Sequence, residues 1–91
     1  MNRMSGTFRR RGQVVAERAD VWVAVAGSGQ VALWYGSFRL PPHAVLEEAG
    51  EYELELEDGR HGTVTVSSPY LQRGYRVGGF TGRGPLLGSS T

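Results

Sequence analysis

From Glu51 to Glu57 the chain alternates without a break, with glutamate at every odd position and Tyr52, Leu54 and Leu56 between them. Successive side chains on a β-strand point to opposite faces, so this stretch predicts a strand with one apolar face on a core and one charged face in water. Asp58-Gly59 follows directly and predicts a hairpin turn. A two-residue loop would pair Glu57 with Arg60 and turn Val64 and Val66 onto the glutamate face. A three-residue loop, with Gly59 left-handed in a bulge, pairs Leu56 with Arg60, Leu54 with Gly62 and Tyr52 with Val64. That register gathers Tyr52, Leu54, Leu56, Val64 and Val66 on one face and is the expected one. It sets Glu51 opposite Thr65, Glu53 opposite Thr63 and Glu55 opposite His61.

The same period of two, punctuated by glycine, runs through the rest of the chain. Phe8 to Ala16, Val21 to Ala26 and Val31 to Arg39 read as three earlier strands, the last two joined by a loop at Gly27-Ser28-Gly29-Gln30. Val21, Val23 and Val25 oppose Trp22, Ala24 and Ala26, while Val31, Leu33 and Tyr35 oppose Ala32 and Trp34. This hairpin is apolar on both faces, so it is either covered on both sides or leaves one sticky face exposed. Leu40-Pro41-Pro42 ends the third strand, because proline cannot donate to a ladder and restricts its predecessor. His43 to Ala49, helix formers followed by Gly50, predicts one or two helical turns. Ser67 to Arg73 reads as a loop. A last strand near Gly74 to Thr81 is expected to carry Tyr75, Val77 and Phe80 inward, shifted by a bulge at Gly78-Gly79.

Five or six short antiparallel strands with one short helical turn predict an all-β fold, a small barrel that resembles the SH3-like or OB-like pattern. One domain over residues 7–84 accounts for them, with a mobile N-terminal segment at 1–6 and a C-terminal tail at 85–91. Leu86 and Leu87 stand out in that tail, since adjacent leucines more often pack on their own barrel or on a neighbouring subunit than hang in water.

Composition narrows the chemistry. The 91 residues contain no cysteine and two histidines, which removes thiolate catalysis and any sulfur-ligated metal, and no disulfide can staple the thin core of so short a chain. Met1 to Gly12 has no apolar run that would make a secretory signal, and Val21 to Tyr35 is too short and too polar to span a bilayer. A cytoplasmic protein without membrane contact is the expectation. All ten basic residues are arginine, which a GC-rich genome explains and which also suits phosphate, carboxylate and aromatic partners. Net charge is +1 but unevenly spread: residues 1–45 carry +4, residues 46–60 carry −6 and residues 61–91 carry +3. A basic frame around an acidic stripe argues against nucleic-acid binding driven by net charge, and still allows a local basic patch.

No catalytic set emerges. Glutamates two apart on one strand face lie ~7 Å from each other in water, where paired acid–base work is not expected, so the stripe reads as a solvated face that also discourages edge aggregation. His61 pairs with Glu55, and His43 follows two prolines, but neither has a nucleophile or oxyanion site beside it. Gly78 to Gly84 lacks the lysine and the following helix of a phosphate loop. No cofactor and no metal site are expected.

The leading expectation is a non-catalytic binding or assembly module, a subunit of a bacterial or phage assembly or a self-associating protein, with Trp22, Trp34, Tyr35, Phe38, Leu86 and Leu87 at a protein interface. The alternative is a barrel that binds single-stranded nucleic acid through Arg9, Arg11, Arg39, Arg73, Tyr75, Arg76 and Arg83, with Phe8, Trp34, Phe38 and Phe80 as further stacking platforms. Alternation sends Arg10 to the face opposite Arg9 and Arg11, so the arginine triplet is not one patch.

Overall fold

In the computed structural model, which describes residues 2–27, 33–41, 43–44, 46 and 48–88, seven strands follow in order: β1 (Asn2–Arg10), β2 (Gln13–Ala26), β3 (Leu33–Leu40), β4 (Gly50–Leu56), β5 (His61–Val66), β6 (Tyr70–Gln72) and β7 (Tyr75–Leu87). All pairings are antiparallel. They run β3-β2-β1-β4-β5-β7, and β3 pairs again with β7, so six strands close a barrel and β6 is appended to β7. The expected five- to six-stranded antiparallel barrel is therefore what the chain forms.

The acidic hairpin adopts the expected register. Glu51 faces Thr65, Tyr52 faces Val64, Glu53 faces Thr63, Leu54 faces Gly62 and Glu55 faces His61. Gly59 has φ +93°, and its N–H donates to the Leu56 carbonyl at 3.0 Å while the Leu56 N–H donates to Arg60 O at 2.8 Å. A left-handed residue is needed at that point, and glycine adopts it without the Cβ clash other residues meet.

The N-terminal half departs from expectation. Phe8 to Ala16 is not one strand, because Arg11 (φ +54°) and Gly12 (φ +80°) make a two-residue hairpin turn with Arg10 opposite Gln13. β1 then extends back to Asn2, and residues 2–6, expected to be mobile, pair with β2 from Val23 to Ala19. Strand β2 runs through the gap left between the first two expected strands. It carries two extra residues against β1: Gly6 faces Ala19, Phe8 faces Ala16 and Arg9 faces Val14. Each extra residue is a bulge, Arg18 standing left-handed at φ +58° within the first, and together they bend the long strand around the barrel.

Strand β7 also differs. Gly78 and Gly79 lie in unbroken register with Phe38 and Ser37, so no bulge interrupts them; the irregularity falls later, between the His61–Leu87 and Thr63–Arg83 pairs. Phe80 points inward as expected, but Tyr75 and Val77 point out. Part of the stretch read as a loop forms β6, joined to β7 through Arg73 (φ +52°) and Gly74 (φ +82°), and Pro85 to Leu87, read as tail, belong to β7. Between β3 and β4 the expected helical turn is replaced, in the described residues, by a single turn in which Ala44 N–H donates to Pro41 O at 3.1 Å. Pro42, Val45 and Glu47 of that segment, like Ser28 to Ala32 of the expected loop and strand start, lie outside the described residues. No helix in the described residues is long and apolar enough to cross a membrane.

The core fills the barrel with Phe8, Val21, Phe38, Leu40, Leu46, Tyr52, Leu54, Leu56, Val64 and Val66 around two aromatic contacts. Phe8 meets Phe38 at 5.0 Å between ring centres, and Trp34 meets Phe80 edge-on at 6.1 Å. Trp34, 3% exposed, lies across Gly82 and Gly62, where a Cβ would run into its indole. Its Nε1–H donates to Gly84 O at 2.9 Å, which satisfies the one polar atom it brings inside.

Candidate functional site

Directly opposed residues of antiparallel neighbours share a face. Reading the register across β1, β2, β3, β7 and β6 therefore maps the outside of the barrel in rows: Arg3, Trp22, Ser37, Gly79; then Asp20, Arg39, Val77, Tyr70; then Ala24, Tyr35, Thr81. Tyr75 stands opposite Gln72 beside the second row. The centre is Arg39. Its guanidinium lies 4.8 Å from the Tyr75 ring centre and 5.9 Å from that of Trp22. Nη2–H and Nε–H both donate to Asp20 Oδ2, at 2.8 and 3.3 Å. A planar cation between two rings, tethered by a carboxylate, has few rotamers left to lose when a partner arrives.

Beside Arg39 a cleft of about 440 Å³ is lined by Trp22, Tyr70 and Gln72 over a floor that includes Gly78 and Gly79. Gly79, opposite exposed Ser37, puts no side chain on the floor, while the missing Cβ of Gly78 makes room on the inner side for the Phe38 ring, which a Cβ would approach to 2.7 Å. Tyr35, Tyr70 and Tyr75, three of the exposed large apolar residues, stand on this outer side of β3, β6 and β7 with half-buried Trp22, whereas Val25 and Leu71 have the parity of the inward Trp34 and Leu40, and Leu33 lies at the far end of β3. Tyr70 and Leu71 are 59% and 64% exposed on a strand whose outer edge has no neighbour among the described residues.

The expected interface residues separate. Trp22 and Tyr35 lie on this face, whereas Trp34 and Phe38 are core, because β3 turns its even residues inward under β7. Leu86 packs against the core from the far end of β7, and Leu87, opposite His61, is exposed away from the face. Of the expected nucleic-acid set, Arg39 and Tyr75 share this face with Arg73 at its turn, and Arg76, half-buried, pairs with Leu71 and Leu40 just behind. Arg9, Arg11 and Arg83 are elsewhere. Arg9 is bound to Glu55 at 3.1 Å, Arg11 sits in the β1–β2 turn and Arg83 stands opposite Thr63. Phe8, Trp34, Phe38 and Phe80 are buried and offer no stacking surface. Arg3, Tyr70 and Leu71 were not among the expected site residues; a Tyr-Leu pair just before the Arg73-Gly74 turn was the available sign of a strand.

Across the barrel, the outer face of β4 presents Glu51, Glu53 and Glu55 beside Thr65, Thr63 and His61. Arg10 is drawn to the edge of this face, donating to Glu48 and to the Tyr52 hydroxyl, each at 3.2 Å, with its guanidinium 4.8 Å from the Tyr52 ring centre. At the hairpin tip the Arg60 backbone N–H donates to Asp58 at 3.0 Å and its Nε–H does so at 2.9 Å, which holds the Asp58 carboxyl below its ordinary value. Among the described residues no group of three His, Asp or Glu side chains converges as a metal site would require. No protein-family model, curated protein or solved structure matches the chain.

The class defined by fold and surface is thus a small closed β-barrel with one aromatic, arginine-centred outer face and one face where the β4 glutamates stand among Arg9, Arg10, Arg11 and Arg83.

Proposed function

We propose that this is a non-catalytic binding module whose aromatic–arginine face engages a protein. The carrying observation is that Tyr35, Tyr70 and Tyr75, all exposed, gather on the same outer face as the Trp22–Arg39–Tyr75 stack. Tryptophan, tyrosine and arginine are the residues enriched at the energetic centres of protein interfaces, and an apolar patch beside a concave cleft is where a partner gains most from excluding water. The Asp20 tether favours protein over nucleic acid, because it neutralises the one arginine that the rings flank. On sequence grounds the module acts in the cytoplasm.

Photo-crosslinking tests the reading. A benzophenone side chain placed at Tyr35 or Tyr75 and irradiated in cells should join the barrel to protein, while the same probe at Arg11 should not. No adduct from either face position would refute it. The specific support for single-stranded nucleic acid is the pair Arg3 and Arg73 at the rim of the same aromatic surface. A nuclease-sensitive adduct would establish that reading in place of the first.

A further inference from the structure

We infer that the cleft between Trp22 and Tyr70 takes a proline-rich segment of the partner with acidic flanks, a step that rests on reading this face as a protein-binding surface. The observation behind it is Gly79. Every other described glycine has a reason within the fold: a left-handed φ, or a neighbour closer than 3.0 Å to where its Cβ would stand. Gly79 has neither, since the nearest atom would be Gly36 O at 3.6 Å, an ordinary contact. A glycine inside a strand weakens it, and one that serves no packing marks a place where something outside the chain comes close to the backbone.

The shape and lining of the cleft select what comes close. Gly79 stands opposite Ser37, then come Trp22 and Arg3, and the cleft passes from this row over Val77 to Tyr70 on β6. From β2 to β6 it crosses three strand spacings of ~4.8 Å, roughly 14 Å in all, and a polyproline II helix rising ~3.1 Å per residue fills that length with four or five residues. The Trp22 Nε1–H, the Tyr70 and Ser37 hydroxyls and the Gln72 amide can all donate, and none is spent on another described residue. No carboxylate is among the described residues that line the cleft. An ordinary peptide brings an N–H at each residue, whereas a proline run brings carbonyls alone, so it meets these donors and strands none of its own. The rings of Trp22 and Tyr70 offer flat faces to pyrrolidine rings, and a chain already extended loses little entropy on docking. With Arg39 tied to Asp20, the charges left at the two ends are Arg3, opposite Trp22, and Arg73, next to Gln72, which calls for acid on both flanks.

Nuclear magnetic resonance of the nitrogen-labelled full chain tests this, because its two indole N–H signals report separately. The probe is a peptide of five prolines between paired aspartates, acetylated and amidated. The Trp22 signal, assigned through Trp22→Phe, is expected to shift saturably, and the Trp34 signal, whose N–H is held by Gly84 O, to stay in place. Gly79→Thr should be at least as stable as wild type in urea and bind at least ~10-fold more weakly, because its side chain fills the floor. Tyr70→Ala, at a position 59% exposed on the edge strand, should keep the fold and also bind at least ~10-fold more weakly. A marked loss of stability in Gly79→Thr would show that the fold needs this glycine and would overturn the inference. So would undiminished binding by Gly79→Thr, equal binding of a glycine–serine run between the same aspartates, or tighter binding of prolines between lysines. A Trp22 signal that oligothymidylate moves and the peptide does not would assign the cleft to nucleic acid instead. A Trp22 signal unmoved by the peptide, beside a protein adduct from the benzophenone at Tyr75, would end the proline assignment and leave the protein-binding face standing.

Discussion

The two tryptophans offer a sharp test of the architecture, because they alternate with valines and leucines in the same hairpin and yet face opposite ways. Trp34 is 3% exposed, lies over Gly62 and Gly82, and spends its Nε1–H on Gly84 O at 2.9 Å. Trp34→Ala removes a fully buried indole and leaves a cavity that the glycine-lined wall has no side chains to fill, for a loss of about 3–5 kcal/mol. A domain of 91 residues has a total stability of about 5–14 kcal/mol, so the variant should be close to unfolding. Trp22 is half-buried on the outside, where its main specific contact is with the Arg39 guanidinium at 5.9 Å, and Trp22→Ala should cost about 1 kcal/mol. Urea titrations followed by far-UV circular dichroism measure both without relying on tryptophan emission. Should Trp34→Ala fail to fold, Trp34→Phe keeps a ring but loses the donor, and a midpoint about 1–2 kcal/mol below wild type is expected. Equal losses for Trp22→Ala and Trp34→Ala, or a loss under about 1 kcal/mol at Trp34, would refute the placement of this residue in the barrel core.

Two further outcomes follow from the acidic hairpin. Gly59→Val forces a β-branched residue to φ +93° and should destabilise by about 1 kcal/mol or more, seen as a lower thermal midpoint; an unchanged midpoint would mean the three-residue loop is wrong. Asp58 has a folded-state value lowered from 3.8, mainly by the Arg60 backbone N–H and then by its guanidinium, so its contribution is complete above that pH and is lost as pH falls through the lower folded value. The stability gap between wild type and Asp58→Asn should stay constant from neutral pH to about pH 5 and narrow progressively as pH falls below 3.8; a gap that does not narrow on acidification would sink the assignment.

How much of this was legible before the structure depends on where the deciding force acts. The acidic hairpin is local: alternation from Glu51 to Glu57, a glycine at the bulge and the parity of Val64 and Val66 set loop length and register within sixteen residues, because a slip of one would bury charge. Arg11-Gly12 and Arg73-Gly74 are local turns too, but arginine gives no sign that it will stand left-handed, unlike the asparagine or aspartate that usually precedes glycine in such loops. Those two turns hid β1 and β6, and with them Arg3, Tyr70 and Leu71.

The chain's composition and periodicity determined by themselves that this is an all-β barrel with an acidic outer strand, since period two, glycine spacing and the absence of cysteine act residue by residue. Only tertiary structure decided which side of the doubly apolar β2–β3 hairpin is core. Trp22 and Trp34 look alike in sequence, and what separates them is non-local: β7 presents Gly78 and Gly82 beneath one face of β3, making room there for Phe38 and Trp34. That leaves Trp22, Tyr35 and Arg39 outside, where Asp20 from one neighbour and Tyr75 from another meet the guanidinium. The physical reason is that a strand with two apolar faces is indifferent to its own orientation, and the volume its neighbours offer breaks the tie.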